Sequence, residues 1–168
     1  MKVYLIGFMG SGKTHWGRLL SDKLGLLFFD LDEAITAKAG KSIPEIFAVD
    51  GEEQFRLLEK EVLQEITAAH DQFIMSTGGG TPCYFNNIDF MNAAGTTVWI
   101  HTPADILFTR LVKEKDKRPL IRDLSDDQLR GFISKKYADR RMYYEQALLI
   151  VEEEPVQLEK LIETIFHA

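Results

Sequence analysis

The chain has 168 residues, and at roughly 150 residues per domain we expect a single domain over 1–168. With 45% hydrophobic and 27% charged residues, the composition excludes the disordered and fibrous classes. The net charge of −6 argues against a nucleic-acid partner. No apolar run approaches the ~20 residues that cross a membrane. The single cysteine, Cys83, cannot form an internal disulfide, so we expect a reducing, cytoplasmic compartment. Because no segment is long and apolar enough to span a bilayer, we expect no membrane partner.

Short apolar runs alternate along the chain with longer segments of helical period, a pattern typical of βα units and a parallel sheet. The five predicted strands cover residues 3–6, 26–29, 73–76, 97–101 and 148–151. Their nearly continuous hydrophobicity suits strands that helices cover on both faces, and we expect the first, third and fourth strands at the centre. The sequence therefore predicts a three-layer α/β/α fold with a five-stranded parallel sheet.

Start and stop signals place helices between the strands. A capping box at Ser42 begins one helix, and Gly51 breaks it before a long amphipathic helix continues. The predicted helices cover residues 13–24, 32–39, 42–50, 52–69, 103–113, 125–144 and 156–166. The charge-dense interval 113–123 shows no convincing period. It is either a solvated connector or a mobile lid, over about 112–124, that brings Arg118 to a ligand.

Residues 7–14, GFMGSGKT, match the pattern GxxxxGK[ST] directly after a predicted strand and directly before a predicted helix. The three glycines let backbone N–H groups curl around a phosphate, and the helix N-terminus favours negative charge there. Lys13 would reach the β- and γ-phosphates, and the Thr14 hydroxyl would take a Mg²⁺ ion. The pattern and its context predict a nucleoside triphosphate site. The motif alone does not distinguish hydrolysis, phosphoryl transfer and sensing.

Asp30 and Asp32 follow the second predicted strand at the carboxyl edge of the sheet, where parallel sheets place ligands. One carboxylate could hold the metal through water while the other receives a proton from an acceptor hydroxyl. Either could instead cap the helix that follows, and the pair taken alone fits that simpler interpretation better.

Three consecutive glycines, at 78–80, follow the third predicted strand, and they offer N–H groups and close backbone approach to an anion or a hydroxyl. A plain tight turn would need fewer glycines. Arg56 has Glu59 and Glu52 within reach on its helix, and Arg140 lies near the end of another helix. Both arginines are either solvated surface residues or forks held to meet a substrate carboxylate in bidentate fashion.

Together these segments resemble the shikimate kinase family, small P-loop kinases of aromatic amino-acid biosynthesis. The likeness covers nearly the whole chain in the family's order and spacing. Its motifs are GFMGSGKT, the DLD turn, SIPEIFAVDGEEQFR, TGGG, KRPLI and the RxxxY that ends at Tyr144. GxxxxGK[ST] is shared by many nucleotide-binding proteins, whereas DGExxFR together with GGG and RPL is much more specific. The resemblance implies a nucleoside-monophosphate-kinase-like fold with a substrate-binding helical region at about 31–60 and a lid.

The resemblance also implies the roles of individual residues. The implied catalytic residues are Lys13, Asp32 on the acceptor hydroxyl and Arg118 on the transferred phosphoryl group. The implied ATP-binding residues are Gly10, Ser11, Gly12, Lys13, Thr14, His15, Arg110, Arg118 and Pro155. The implied shikimate-binding residues are Asp32, Arg56, Gly78, Gly79, Gly80 and Arg140, in which the two arginines clamp the carboxylate and Glu59 orients Arg56. The implied Mg²⁺ ligands are Thr14 and Asp30.

Three departures from the family pattern bear on these roles. His15 stands where the family usually has Ser or Thr, so we expect only its backbone N–H to face the α-phosphate. The interval from Arg110 to Arg118 is slightly longer than the family's. An acidic segment at 152–154 replaces a more basic one, which leaves adenine to the backbone and Pro155.

The resemblance therefore implies a monomeric, Mg²⁺-dependent enzyme that uses ATP to phosphorylate the 3-hydroxyl of shikimate. A gluconate- or nucleotide-type kinase on the same fold is the rival enzyme, although two arginines and a triple-glycine turn suit a compact hydroxy acid. A catalytically silent ATP-binding regulatory module is the rival of another class, and the filled catalytic positions disfavour it.

Overall fold

The structure, a computed structural model, describes residues 1–152 and 157–167. Five strands form one parallel sheet in the order β2-β3-β1-β4-β5. They are β1 (Lys2–Ile6), β2 (Leu27–Asp30), β3 (Phe73–Ser76), β4 (Thr96–Ile100) and β5 (Leu149–Val151). The strands predicted to be central are the three inner ones. The predicted α/β fold with a five-stranded parallel sheet is thus confirmed.

The helices flank this sheet on both faces. They are α1 (Lys13–Leu24), α2 (Leu31–Ala39), α3 (Ile43–Ala69), α4 (Asn87–Ala94), α5 (Ala104–Glu114), α6 (Asp126–Tyr144) and α7 (Leu158–Phe166). The sequence patterns predict neither α4 nor the short 3-10 turn at Thr81–Cys83, because both are short and no side chain caps their first N–H groups. Residue 156, predicted as the start of the last helix, lies outside the described residues.

Alternating side chains of β1 pack into two separate hydrophobic cores, one on each face of the sheet. Tyr4 and Ile6 of β1 point into the core under α2 to α6, whereas Val3 and Leu5 point into the core under α1 and α7. All four side chains are fully buried, and each such burial contributes about 1.5–3 kcal/mol. Because the sheet is covered on both faces, most residues of its inner strands are apolar and buried.

The predicted helix signals also fix the loops at the carboxyl edge of the sheet. Ser42 caps α3, and Ser125 forms a complete capping box with Gln128 at the start of α6. Gly51 interrupts α3 with a φ of 86°, so the helix breaks at the residue where the sequence predicts the break. The ends of β1, β2 and β3 lie side by side and bring three loops together.

Within the described ranges, no helix has the length and apolarity needed to cross a membrane.

Candidate active site

The loop between β1 and α1 carries the phosphate-binding pattern. Gly7, Gly10 and Gly12 have φ values of 146°, 84° and 90°, a backbone region that side chains disfavour. Gly12 is the N-cap of α1 and has no side chain that could bond the first N–H groups of the helix. These groups therefore line the cleft together with the positive end of the helix dipole, and the loop offers an anion a set of donors.

Lys13 is the charged group of this loop. Its side chain is buried, with the residue 7% exposed, and Nζ donates hydrogen bonds to the carbonyl oxygens of Gly7 at 2.7 Å and Phe8 at 3.0 Å. Burial lowers the pKa of Lys13 to about 7; the Asp32 carboxylate opposes this shift, and the Arg118 charge adds to it. A bound polyphosphate would favour the charged ammonium again, because opposite charges stabilise one another.

Three oxygen atoms meet beside the loop at the ends of β2 and β3. Thr14 Oγ1 lies 3.3 Å from Asp30 Oδ2 and 3.1 Å from Ser76 Oγ. Asp30 Oδ1 also accepts hydrogen bonds from two N–H groups in the first turn of α2, so Asp30 is the helix cap that the simpler interpretation expects. Its second oxygen still faces Thr14. Mg²⁺ prefers oxygen ligands and usually takes one or two protein groups beside phosphates and water, and these hydroxyl and carboxylate oxygens fit that preference.

Asp32 lies in the first turn of α2 and lines the cleft. Solvent in the open cleft reaches its side chain, while the protein around it partly desolvates the carboxylate. This desolvation, with the Asp30 and Glu59 charges adding to it, raises the pKa of Asp32 to about 6 against the opposing Lys13 and Arg56 charges. A carboxylate with a pKa close to neutrality is suited to accept a proton from an alcohol.

We expect Asp32→Asn to lower kcat by about 10²-fold and to raise the melting temperature near neutral pH. The carboxyl pKa rises from 3.8 to about 6 on folding, so above pH 6 the folded state carries a charge that the unfolded chain holds more easily. Removing the charge stabilises the fold there. The gain should shrink as pH falls toward 3.8, below which both states are protonated. Thermal denaturation across this range measures it.

Asp71→Asn is the matched control for this pH dependence. Asp71 is exposed and precedes β3 at the opposite edge of the sheet, so its replacement should give no gain that vanishes in acid. An Asp32→Asn variant that is no more stable than the parent above pH 6 would contradict the raised pKa.

Arg56 is a buried cation rather than a solvated surface residue. It is 8% exposed, and its Nη1 donates to Glu59 Oε1 at 3.0 Å. The Tyr84 ring covers the guanidinium, with Arg56 Cζ 4.1 Å from the ring centroid, and Tyr84 Oη donates to Glu52. Arg56 Nε makes no hydrogen bond within the described chain. The structure therefore favours the interpretation of Arg56 as a fork held for a carboxylate over that of a surface ion pair.

The turn after β3 packs directly against both predicted arginines. A Cβ atom on Gly80 would lie 2.6 Å from Arg56 Nη2, and one on Gly79 would lie 2.9 Å from Arg140 Nη1. Both distances are shorter than real Cβ contacts, so a side chain at either position would displace a guanidinium group. The turn thus lies against two arginines that are far apart in sequence.

Two hydroxyl groups tie this turn to its surroundings. Thr81 Oγ1 donates to Glu59 Oε2 at 2.8 Å and accepts from the Gly78 N–H at 2.9 Å. Tyr144 Oη donates to the Gly79 carbonyl at 2.5 Å. The sequence patterns do not point to Ser76, Thr81 or Tyr84, because a single such residue carries no spacing. Only their positions beside a strand end and a triple glycine could have suggested them.

Two further arginines approach the phosphate loop from α5 and the segment after it. Arg110 Nη1 donates to the Gly10 carbonyl at 3.1 Å, and Arg118 Nε donates to Glu114 Oε2 at 2.8 Å. The helix α5 continues to Glu114 and a 3-10 turn at Lys115–Lys117 follows it. The observed helix end agrees with the predicted end at about 113, and the lid over about 112–124 stays a prediction.

A cleft of about 440 Å³ lies between the phosphate loop, the ends of β2 and β3, and the side chains of Arg110 and Arg118. Most of the expected ATP-binding residues line it: Gly10, Gly12, Lys13, Thr14, His15, Arg110 and Arg118. Ser11 is buried within the loop, and Pro155 lies outside the described residues. One end of the cleft can hold a polyphosphate and a metal ion. Asp32, Gly78 and Gly79 of the expected substrate-binding set also line the cleft. Arg56, Gly80 and Arg140, the rest of that set, are not among its described lining residues.

Comparisons with known proteins agree with this arrangement. A family model described as shikimate kinase matches residues 9–168. The shikimate kinase of Azobacteroides pseudotrichonymphae is 40% identical over 164 residues, which cover 98% of this chain and 96% of that protein. The shikimate kinase of Parabacteroides distasonis is 39% identical over 167 residues, with 99% and 96% covered.

Solved structures give the same likeness in three dimensions. The shikimate kinase of Bacteroides thetaiotaomicron superimposes with a TM-score of 0.91 at 35% identity, covering 100% of this chain and 99% of that one. The Acinetobacter baumannii enzyme in complex with shikimate gives 0.87 at 32% identity, with 99% and 93% covered. A gluconokinase from Sinorhizobium meliloti, at 0.55 and 14% identity with 99% and 89% covered, shares the fold alone.

Proposed function

The chain belongs to the shikimate kinase family, and from that premise we propose that it transfers the γ-phosphoryl group of ATP to the 3-hydroxyl of shikimate in a Mg²⁺-dependent reaction. The observation that carries the proposal is a phosphate loop at the same sheet edge as a buried Arg56 that a carboxylate holds in place. ATP serves as co-substrate, and the products are ADP and shikimate 3-phosphate.

Different residues of this chain bind the triphosphate, the carboxylate of shikimate and the metal ion. The loop N–H groups and Lys13 bind and orient the triphosphate, while Arg56 and Arg140, which lie against the glycine turn, hold the carboxylate of shikimate. Phosphoryl transfer needs little covalent help, so positioning and charge neutralisation supply most of the rate. Bound Mg²⁺ neutralises charge on the phosphates, and the oxygens of Thr14 and Asp30 are the groups that would hold it.

Asp32 acts on the acceptor hydroxyl. With a pKa of about 6, its carboxylate is mostly ionised at neutral pH and can accept a hydrogen bond from the hydroxyl group. A loose transition state needs the proton removed only late. Asp32 therefore orients the hydroxyl first and receives its proton as the phosphoryl group arrives.

A coupled assay of ADP release tests the function directly. Shikimate, gluconate and nucleoside monophosphates are offered as separate acceptors, with and without Mg²⁺, and NMR of the product locates the phosphate. We expect turnover with shikimate only, and only when Mg²⁺ is present. Turnover with gluconate or a nucleotide instead of shikimate would assign another kinase activity, and turnover with none of them would indicate a silent ATP-binding module.

We expect Arg56→Lys to weaken shikimate binding by about ten- to a hundredfold at unchanged ATP affinity. An ammonium keeps the charge but loses one of two parallel hydrogen bonds and the planar match to a carboxylate. Charge-assisted hydrogen bonds are worth roughly 1.5–3 kcal/mol each, and about 1.4 kcal/mol is a factor of ten. Calorimetric titration with shikimate and with ADP measures both affinities.

Arg141→Lys is the control, because Arg141 forms an exposed pair with Glu145 at 2.6 Å. Surface pairs contribute only ~0–1 kcal/mol, so this change should leave both affinities at the parent values. Near-parent shikimate affinity in Arg56→Lys would remove Arg56 from the carboxylate clamp.

The single-domain organisation over 1–168, the monomeric state and the cytoplasmic location stay predictions from the sequence. Gel filtration with light scattering tests the monomer. Limited proteolysis that yields one resistant core would support the single domain.

A further inference from the structure

The clamp residue Arg56 depends on Glu59, and Glu59 in turn depends on a threonine hydroxyl. We propose that Thr81 is a positioning residue for shikimate binding: its hydroxyl fixes the Glu59 carboxylate, and through it the guanidinium of Arg56. This inference rests on the proposed function, because it needs a substrate carboxylate that Arg56 binds.

The hydrogen bonds around Thr81 have only one consistent arrangement. The Gly78 N–H can only donate, and Glu59 beside the Arg56 cation acts as an acceptor. The single hydroxyl proton therefore goes to Glu59 Oε2 at 2.8 Å, and the hydroxyl oxygen accepts from Gly78 at 2.9 Å. The two oxygens of Glu59 are thus divided between Thr81 and Arg56 Nη1, which sets the plane of the carboxylate.

Burial makes this arrangement hard to replace. Thr81 is 0% exposed and Glu59 is 1% exposed, so water has little access to either group. Without the hydroxyl, Glu59 Oε2 and the Gly78 N–H would lose these partners, and an unpaired buried group is costly. The carboxylate would then turn toward other donors, and the guanidinium that it orients would turn with it.

The turn that carries Thr81 also lies close to the carboxylate of Asp32. A Cβ atom on Gly78 would lie 3.3 Å from Asp32 Oδ1 and 3.5 Å from Glu59 Oε2, which shows how closely the turn packs against both carboxylates. Gly78, whose N–H donates to Thr81, therefore lies beside the carboxylates of both Glu59 and Asp32.

Thr81 has no exposed surface, so it acts through Glu59 and Arg56 rather than by touching shikimate. A misplaced clamp weakens binding equally in the ground state and in the transition state. We therefore expect the KM for shikimate to rise while kcat changes much less. A general loss of structure would instead lower the active fraction and leave KM unchanged.

The experiment compares Thr81→Val, which keeps the shape and loses the hydroxyl, with Thr81→Ser, which keeps the hydroxyl. We expect Val to raise the shikimate KM by about tenfold or more, with the ATP KM and kcat within about threefold of the parent. Ser should restore a shikimate KM close to the parent value. Circular dichroism establishes that each variant is folded.

Thr67→Val is the matched control. Thr67 is also buried, and its hydroxyl makes two hydrogen bonds of 2.8 Å, one to the Leu63 carbonyl and one with Tyr4 Oη. This variant should lose stability with no change in the shikimate KM.

The outcomes separate this inference from the proposed function. A parent without shikimate turnover overturns the proposed function, and the role of Thr81 is lost with it. With an active parent, a near-parent KM in Thr81→Val, an equal KM rise in Thr67→Val, or no recovery in Thr81→Ser overturns the inference alone. If Thr81→Val does not fold, Thr81→Ala takes its place against Ser, and failure of both to fold assigns Thr81 to the fold rather than to the site.

Discussion

Replacing Lys13 with alanine should lower kcat by about 10³-fold or more and leave the chain folded. Lys13 Nζ now bonds the carbonyl oxygens of Gly7 and Phe8 at the mouth of the phosphate loop. In the proposed reaction this ammonium meets the β- and γ-phosphates, where charge develops as the phosphoryl group leaves. Arg110 and Arg118 also line the cleft, but neither belongs to the phosphate loop that Lys13 closes.

We expect the Lys13→Ala variant to fold, because the charge that it removes is buried in the parent. The sequence suggests a lysine on an exposed loop, whereas Lys13 is buried and its pKa falls to about 7. A desolvated charge raises the free energy of the folded state, which offsets the two hydrogen bonds that alanine removes. We therefore expect little change in melting temperature.

Lys23→Ala is the control on the same helix. Lys23 is exposed in the last turn of α1, far along the helix from the phosphate loop, and its removal should leave kcat and the ATP KM unchanged. Steady-state kinetics with thermal denaturation separates the two variants. Activity of Lys13→Ala within a few-fold of the parent would be incompatible with a phosphate-binding role.

The sheet could be predicted because its information is local. Runs such as Phe73–Ser76 are mostly apolar and flanked by turn residues, so both the strands and their central or outer positions follow from the sequence. The helix α4 has no comparable signal, since its N-cap residue Asn86 has a left-handed φ of 58° and makes no side-chain cap. Tertiary packing of Ile88 and Met91 stabilises it, and packing of that kind is not visible in a short segment.

The motifs of the site could be predicted from the sequence, whereas the roles of its charged residues stayed open between two interpretations. The sequence places a glutamate three residues after Arg56, but the same spacing occurs in exposed ion pairs. Burial decides between the two interpretations. Burial in turn depends on Tyr84 and Gly80, which contact the guanidinium from more than twenty residues away along the chain. For Asp30 both interpretations hold, because one carboxylate oxygen caps α2 while the other faces Thr14.

Arg118→Ala should lower kcat by about 10²- to 10³-fold with the shikimate KM within about threefold of the parent. Arg118 lines the same cleft as Lys13, and its charge contributes to the lowered pKa of that lysine, so the two cations face a common volume. Its side chain is 37% exposed and is held by Glu114 through one bond of 2.8 Å. It is therefore available to turn toward a phosphoryl group.

Negative charge develops on the leaving phosphate oxygen as the phosphoryl group departs in a loose transition state, so a cation that meets this charge changes kcat more than ground-state binding. Arg122→Ala is the control, because Arg122 is exposed four residues further along the same segment and should leave kcat unchanged. Single-turnover and steady-state kinetics over a range of shikimate concentrations separate kcat from KM. If Arg118→Ala changed only the shikimate KM, Arg118 would bind the acceptor in the ground state, and the transferred phosphoryl group would be left to Lys13 and the loop.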